Sequence, residues 1–227
     1  MSRVVAITGA FGALGRALAE AAQARGARLA LIDFAPSPAG LDESGALALG
    51  GVDLAEPEAA ADAMAAVAAR FGGLDVLFNV AGGFRFETVA KGSTSTWEWL
   101  WRINLLTALN ASRAALPHLL KSPAGRIVNV GANAAVKAAA GMGAYAASKA
   151  AVHRLTESLA EELKASGVTV NAVLPSILDT PANRTDMPKA DHAAWVSPKD
   201  LAALMLFLAS EEAGAVTGAL VPVTGRV

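Results

Sequence analysis

The segment Thr8-Gly9-Ala10-Phe11-Gly12-Ala13-Leu14-Gly15 decides how this chain is read. It joins a short apolar run, Val4–Ile7, to a helical pattern over Arg16–Arg25 that Gly26 ends. An apolar run, a glycine-rich turn and a helix open a parallel strand–helix unit, because a strand covered on both faces reads as continuous hydrophobic residues. The alternation repeats along the chain. Strands are predicted at Leu29–Ile32, Ala46–Val52, Leu74–Phe78, Arg126–Val130, Val168–Leu174 and Ala219–Val223. Helices are predicted at Pro57–Phe71, Trp97–Leu120, Ala144–Ala165, and from Ser197-Pro198-Lys199-Asp200, which has the shape of a capping box, to Ser210. Residues 35–45 read as a Pro-, Gly- and Ser-rich loop, and Pro175–Val196 is the longest irregular stretch. The pattern predicts an α/β fold of about seven strands with helices on both faces, one domain over residues 1–227.

Composition narrows the function classes. Hydrophobic residues make up 54% of the 227 and charged residues 17%, which excludes a disordered chain. The mean hydropathy of +0.42 comes mainly from alanine, and the Ala-rich stretch from Ala59 carries Asp62 and Arg70 at helical intervals. No window offers about 18 uncharged apolar residues, so no membrane span is expected. Met1-Ser2-Arg3 runs straight into the first strand without the long apolar core of a signal peptide. A net charge of −1 with no basic block argues against a nucleic-acid partner. The lack of cysteine rules out disulfides and thiolate metal sites and fits a cytoplasmic location. His118, His153 and His192 lie too far apart in sequence for a metal-ligand spacing, and no metal is expected. The remaining class is small-molecule chemistry.

The opening turn suits a pyrophosphate, which a small-residue turn lets approach the backbone and whose charge then sits at the N-terminus of the following helix. Asp33 ends the second strand, 18 residues after Gly15. A carboxylate there accepts hydrogen bonds from both adenosine ribose hydroxyls and repels a 2′-phosphate. Neither Phe11 nor Phe34 offers a cation to such a phosphate. The expected cofactor is NAD(H), preferred over NADP(H), on a Rossmann-type doubly wound parallel sheet. The competing reading makes Asp33 a loop cap.

With these residues in place, the chain resembles the short-chain dehydrogenase/reductase family over nearly its whole length. Thr8-Gly9 and Ala13-Leu14-Gly15 are similar to the family's TGxxxGxG turn, with Ala13 for the middle glycine and Gly12 one place early to supply flexibility. Asp53-Leu54 is similar to the acidic pair beside the adenine. Asn79-Val80-Ala81-Gly82 resembles the NNAG element, with Val80 for the second Asn. Asn104 matches a helix asparagine, and Tyr145-Ala146-Ala147-Ser148-Lys149 is the YxxxK motif. Pro175 to Thr180, including Leu178, resembles the segment facing the nicotinamide, with Ser176 for Gly. The resemblance implies cofactor contacts at Gly9, Phe11, Gly12, Ala13, Leu14, Gly15, Asp33, Phe34, Asp53, Leu54, Asn79, Val80, Ala81, Gly82, Val130, Tyr145, Lys149, Pro175, Leu178 and Thr180. One branch, the quinonoid dihydropteridine reductases, is closer in pattern through Gly131–Ala135, Gly141-Met142, Leu178–Arg184, Met187-Pro188 and Ala190-Asp191.

Tyr145 and Lys149 are four apart on a helix and share one face. The expected chemistry is hydride transfer between nicotinamide and a C=O or conjugated C=N carbon, with Tyr145 donating the proton. A nearby Lys149 ammonium should lower the phenol's pKa. Asn104 takes a proton-relay role by resemblance. Most family members carry a serine 13 residues before the tyrosine; here that position is Ala132. Three readings stay open: a conjugated imine needing less polarisation, substitution by Asn133 or water, or weakened catalysis. Phe84 is a further candidate against the substrate. Thr180 either bonds the nicotinamide amide or forms a turn before Pro181. The rival functions are an ordinary ketone/alcohol dehydrogenase and a non-catalytic dinucleotide sensor. Apolar stripes on helices 97–120 and 144–165, with Trp97 and Trp101 on one face, point to core packing or to a homodimer or homotetramer.

Overall fold

In the computed structural model, which describes residues 2–39 and 45–227, seven parallel strands form one sheet in the order β3-β2-β1-β4-β5-β6-β7. They are β1 (Val4–Thr8), β2 (Arg28–Ile32), β3 (Ala46–Leu49), β4 (Val76–Asn79), β5 (Arg126–Val130), β6 (Thr169–Pro175) and β7 (Leu220–Val223). The helices are α1 (Ala13–Gln23), α2 (Pro57–Phe71), α3 (Thr94–Trp101), α4 (Thr107–Leu119), α5 (Gly143–Glu162), α6 (Pro181–Asp186) and α7 (Pro198–Leu208). Alternate residues of each strand point to opposite faces. Val4 and Ala6 of β1 join the core with Met64 and Leu119, while Val5 and Ile7 join the one with Leu18, Leu201 and Met205. The strand order reverses between β1 and β4, which opens a crevice at their carboxyl ends where ligands bind in such sheets.

Three expectations change. The helix read as Trp97–Leu120 starts earlier, at Thr94, because the Ser93 side chain accepts the Ser95 N–H. It is also interrupted: Arg102–Leu106 forms a π turn between α3 and α4. An apolar periodicity does not reveal a single inserted residue, and such turns concentrate at functional sites. The third strand stops at Leu49, short of Val52. At Gly50 a Cβ would sit 2.2 Å from the Ser37 nitrogen, so the chain there packs on the β2 exit instead of continuing. Finally, Pro175–Val196 is not irregular. Thr180 caps α6 by accepting the Asn183 N–H, Asp191 caps a short 3-10 turn at His192–Ala194, and Leu178 bridges Val196. Of the loop read at 35–45, residues 40–44 lie outside the described residues. No described helix is long and apolar enough to cross a membrane.

Candidate active site

The glycine turn is built by close backbone approach. Gly9 has φ +63°, and a Cβ there would lie 2.8 Å from the Ala81 backbone. At Gly15 a Cβ would fall 2.2 Å from the Gly9 carbonyl oxygen. Gly12 does not supply the expected flexibility. Its φ of −74° suits any residue, and a Cβ there would make only ordinary contact. Thr8 ties this turn to the β4 exit: its Oγ1 accepts the N–H groups of Val80 and Ala81 at 3.0 and 3.1 Å. The first turn of α1, with Leu14 buried, has no side-chain cap and no acidic residue. Its N–H groups are therefore suited to an anion.

Asp33 braces the same turn. One carboxylate oxygen accepts the Phe11 N–H at 2.8 Å and the other the Ala35 N–H at 3.0 Å. The carboxylate thus caps its own loop, as the competing reading has it, and also braces the glycine turn. Phe34 beside it is exposed. After β3, Asp53 is bonded to Arg102 at 2.6 Å, Arg102 also reaches Glu56 at 2.7 Å, and Asn110 donates to the carbonyls of Leu54 and Ala55. The π turn and α4 therefore hold the Asp53-Leu54 loop.

At the other end of the crevice, α5 presents Tyr145 and Lys149. Tyr145 meets the Phe84 ring edge-on at 4.9 Å. Lys149 is buried and donates to the Val130 carbonyl at 2.7 Å. Asn104, from the π turn, accepts the Gly83 N–H at 2.9 Å and donates to the Gly83 carbonyl and to Ser148. These groups converge on Gly82. A Cβ there would lie 2.5 Å from Asn104 Oδ1 and 3.3 Å from Lys149 Nζ. Burial pushes the Tyr145 phenol up to about 12 and the Lys149 ammonium down to about 8. The expected lowering of the phenol is therefore absent from the folded chain by itself, since burial is what acts on it and the Lys149 ammonium is turned toward the Val130 carbonyl.

Other candidates land differently. The Asn79 side chain is buried, with its Nδ2 donating to Ser112 and Asn129, which helps to hold β4 in place; its Oδ1 has no partner among the described residues. Thr180 acts as a helix cap, and Pro175 closes β6. Ala132 is buried, with its N–H donated to His153 Nε2, and Asn133 opens a short 3-10 turn beyond it. Trp97 and Trp101 are exposed, which removes the core reading for them. Trp99 stacks under Arg85 near Gly83. Sequence reasoning missed Thr8, Arg102, Ser148 and His153. Thr8 and Ser148 stood inside the quoted motifs without a role assigned to them, and His153 left the helical spacing of four from Lys149; Arg102 left no signal. Among the described residues no cluster of acidic or histidine side chains could hold a metal.

Comparison with known proteins agrees with this architecture. Residues 3–191 match the family model for short chain dehydrogenase. The chain is 33% identical to the 3-oxoacyl-(acyl-carrier-protein) reductase FabG of Vibrio cholerae, over 98% of this chain and 96% of the relative. It is 34% identical to 2-(S)-hydroxypropyl-CoM dehydrogenase 3 of Xanthobacter autotrophicus, covering 99% and 96% respectively. Among solved structures, Thermoplasma acidophilum aldohexose dehydrogenase superposes with a TM-score of 0.88 at 26% identity, over 99% of this chain and 93% of that one. A family match across most of the sequence, full-length relatives and the shared sheet lead to one conclusion: this chain belongs to the short-chain dehydrogenase/reductase family.

Proposed function

We propose that this protein is an NAD(H)-dependent reductase in which Tyr145, Lys149 and Asn104 move the proton, acting on a conjugated C=N or C=O group of the dihydropteridine type. The convergence of Asn104, Lys149 and Tyr145 on Gly82–Phe84 carries the reading. The family implies a nicotinamide dinucleotide, and the residues fit one: the uncapped α1 N-terminus suits its phosphates, and the glycines at 9, 15 and 82 leave no room for a side chain. Gly9, Phe11, Gly12, Ala13, Leu14 and Gly15 would hold it at the phosphates, and Asp33, Phe34, Asp53 and Leu54 toward the adenosine. Val80, Ala81, Gly82, Val130, Pro175, Leu178 and Thr180 would line the reacting end. Such a cofactor supplies or accepts the hydride when bound.

The chain's own residues then handle the proton. Tyr145 gives it to the substrate heteroatom from its phenol oxygen. Lys149, with two of its three N–H groups unused among the described residues, steadies the phenolate that remains. Asn104 keeps the Gly83 peptide fixed beneath both. Ala132 offers a methyl group where a hydroxyl would polarise a carbonyl, which favours an already conjugated substrate.

The rival is an ordinary ketone/alcohol dehydrogenase, supported by relatives named as a 3-oxoacyl reductase and a hydroxypropyl dehydrogenase. The exposed Trp97 and Trp101 support assembly through α3–α5 into a homodimer or homotetramer. A reductase assay over quinonoid dihydropterin, quinones and ketones, with NADH and NADPH, separates the readings. Turnover of the dihydropterin with NADH, lost by about 1,000-fold in Tyr145→Phe without loss of dinucleotide binding, is expected. Turnover of simple ketones alone moves the protein to the rival, and better use of NADPH overturns the role of Asp33.

A further inference from the structure

The imidazole of His153 is only 3% exposed, and the chemistry proposed above makes no use of it. It stands one turn beyond Lys149 and two beyond Tyr145 on the same face of α5. Its Nε2 accepts the Ala132 N–H at 3.3 Å. A Cβ at Gly131 would lie 2.5 Å from that nitrogen and 2.7 Å from Cδ2, so glycine is what admits the ring. Lys149 meanwhile donates to the Val130 carbonyl, and the Gly131 N–H donates to the Val173 carbonyl. Two successive turns of one helix thus hold the two ends of the Val130–Ala132 segment, and β6 holds its middle. The segment contains the position whose hydroxyl this chain lacks.

We propose that His153 is a positioning residue: its unprotonated Nε2 fixes the Ala132 peptide and, through the Val130–Ala132 backbone, sets Lys149 and the Ala132 wall against the atoms on which Tyr145 acts. The proposal rests on the reading of Tyr145 and Lys149 as the proton-transfer pair. Where a serine hydroxyl would hold the substrate heteroatom directly, orientation here falls on the backbone of the β5 exit, and that backbone has a dedicated acceptor. Burial first, then the charges of Arg154 and Lys149, push the imidazole down to about 4. The ring is therefore neutral and able to accept, whereas a protonated ring would face the Ala132 N–H donor to donor.

Three variants test this in the full chain. His153→Leu keeps much of the volume and removes the acceptor, His153→Gln restores an acceptor, and Gly131→Ala displaces the ring. With the substrate that the wild type turns over best, kcat is expected to fall about 10- to 100-fold in His153→Leu and Gly131→Ala, while KM for the dinucleotide changes by less than about threefold. His153→Gln recovers most of that kcat. Hydrogen exchange at the Ala132 amide, read by NMR without turnover, accelerates in His153→Leu and regains protection in His153→Gln. Wild-type kcat in His153→Leu contradicts the proposal, as does a loss that glutamine fails to restore. Wild-type protection of the Ala132 amide in His153→Leu contradicts it as well. If the wild type turns over no carbonyl or imine, the proposed function has failed, and the exchange comparison alone decides whether His153 holds Ala132.

Discussion

The two edges of the sheet bury cations in different ways. At the amino edge, Arg126 spreads its guanidinium over the carbonyls of Ser210, Gly125 and Gly167, and Arg3 donates to those of Ala209, Asp75 and Ala124. At the carboxyl edge, Lys149 has one carbonyl partner among the described residues for three N–H groups. Burial lowers the pKa of all three cations. Each arginine nevertheless closes off strand ends with three carbonyl partners for its five N–H donors, as structural groups do. The lysine is left underused in a crevice, beside a phenol and a π turn. On the proposed reading, a buried cation that its own fold leaves short of partners marks the working edge.

The largest expected effect breaks the carboxyl edge alone. Lys149→Met should lower kcat by about 1,000-fold, since the proton-transfer pair is lost, while circular dichroism shows an unchanged fold. Its counterpart at the other edge should do the reverse. Arg126→Met removes three hydrogen bonds to backbone carbonyls, of which the Gly125 carbonyl keeps the Thr169 N–H, and is expected to cost about 2–4 kcal/mol of stability in urea melts, with kcat per folded molecule unchanged.

The same lysine variant sharpens the contrast through pH. The folded pKa of about 8 lies below the ordinary 10.5, so burial of the ammonium opposes folding at every pH below about 8. From about pH 8 to 10.5 the unfolded chain holds a proton that the folded chain has released, so wild-type stability rises across that window. Lys149→Met should therefore be more stable than wild type by roughly 1–2 kcal/mol at pH 7, a gain that shrinks as pH climbs through the window.

Smaller effects probe the adenosine side. Asp33→Ala should cut the preference for NADH over NADPH by about tenfold, measured as the ratio of kcat/KM values. Thr8→Val, which removes the acceptor for two N–H groups at the β4 exit, is expected to cost about 1 kcal/mol in stability.

The adenosine side was the more legible half in the sequence. Gly9 and Gly15 are forced by backbone approach, and a local constraint of that kind leaves a local pattern. Asp33 followed from its place at the end of β2, although its bonds to Phe11 and Ala35 did not. The reaction side was legible only as isolated letters. Tyr145 and Lys149 could be put on one helix face, but their pKa shifts arise from packing across α5, β5 and the π turn. The π turn itself inserts one residue without disturbing the apolar pattern. His153 reads as an ordinary helix residue until β5 is laid against it. Asn79 was placed in the crevice by motif; its Nδ2 donates to Ser112 and Asn129, which ties it to the scaffold, while its buried Oδ1 has no partner among the described residues.

Tyr145 is the only tyrosine in the chain, so its ionisation can be followed as a single 13C resonance in protein labelled at tyrosine Cζ. A pKa near 12 is expected for the protein alone, falling when NAD⁺ is saturating, with no such fall in Lys149→Met. A phenol that titrates alike with and without NAD⁺, or alike in wild type and Lys149→Met, would contradict the assignment of this pair to the proton transfer.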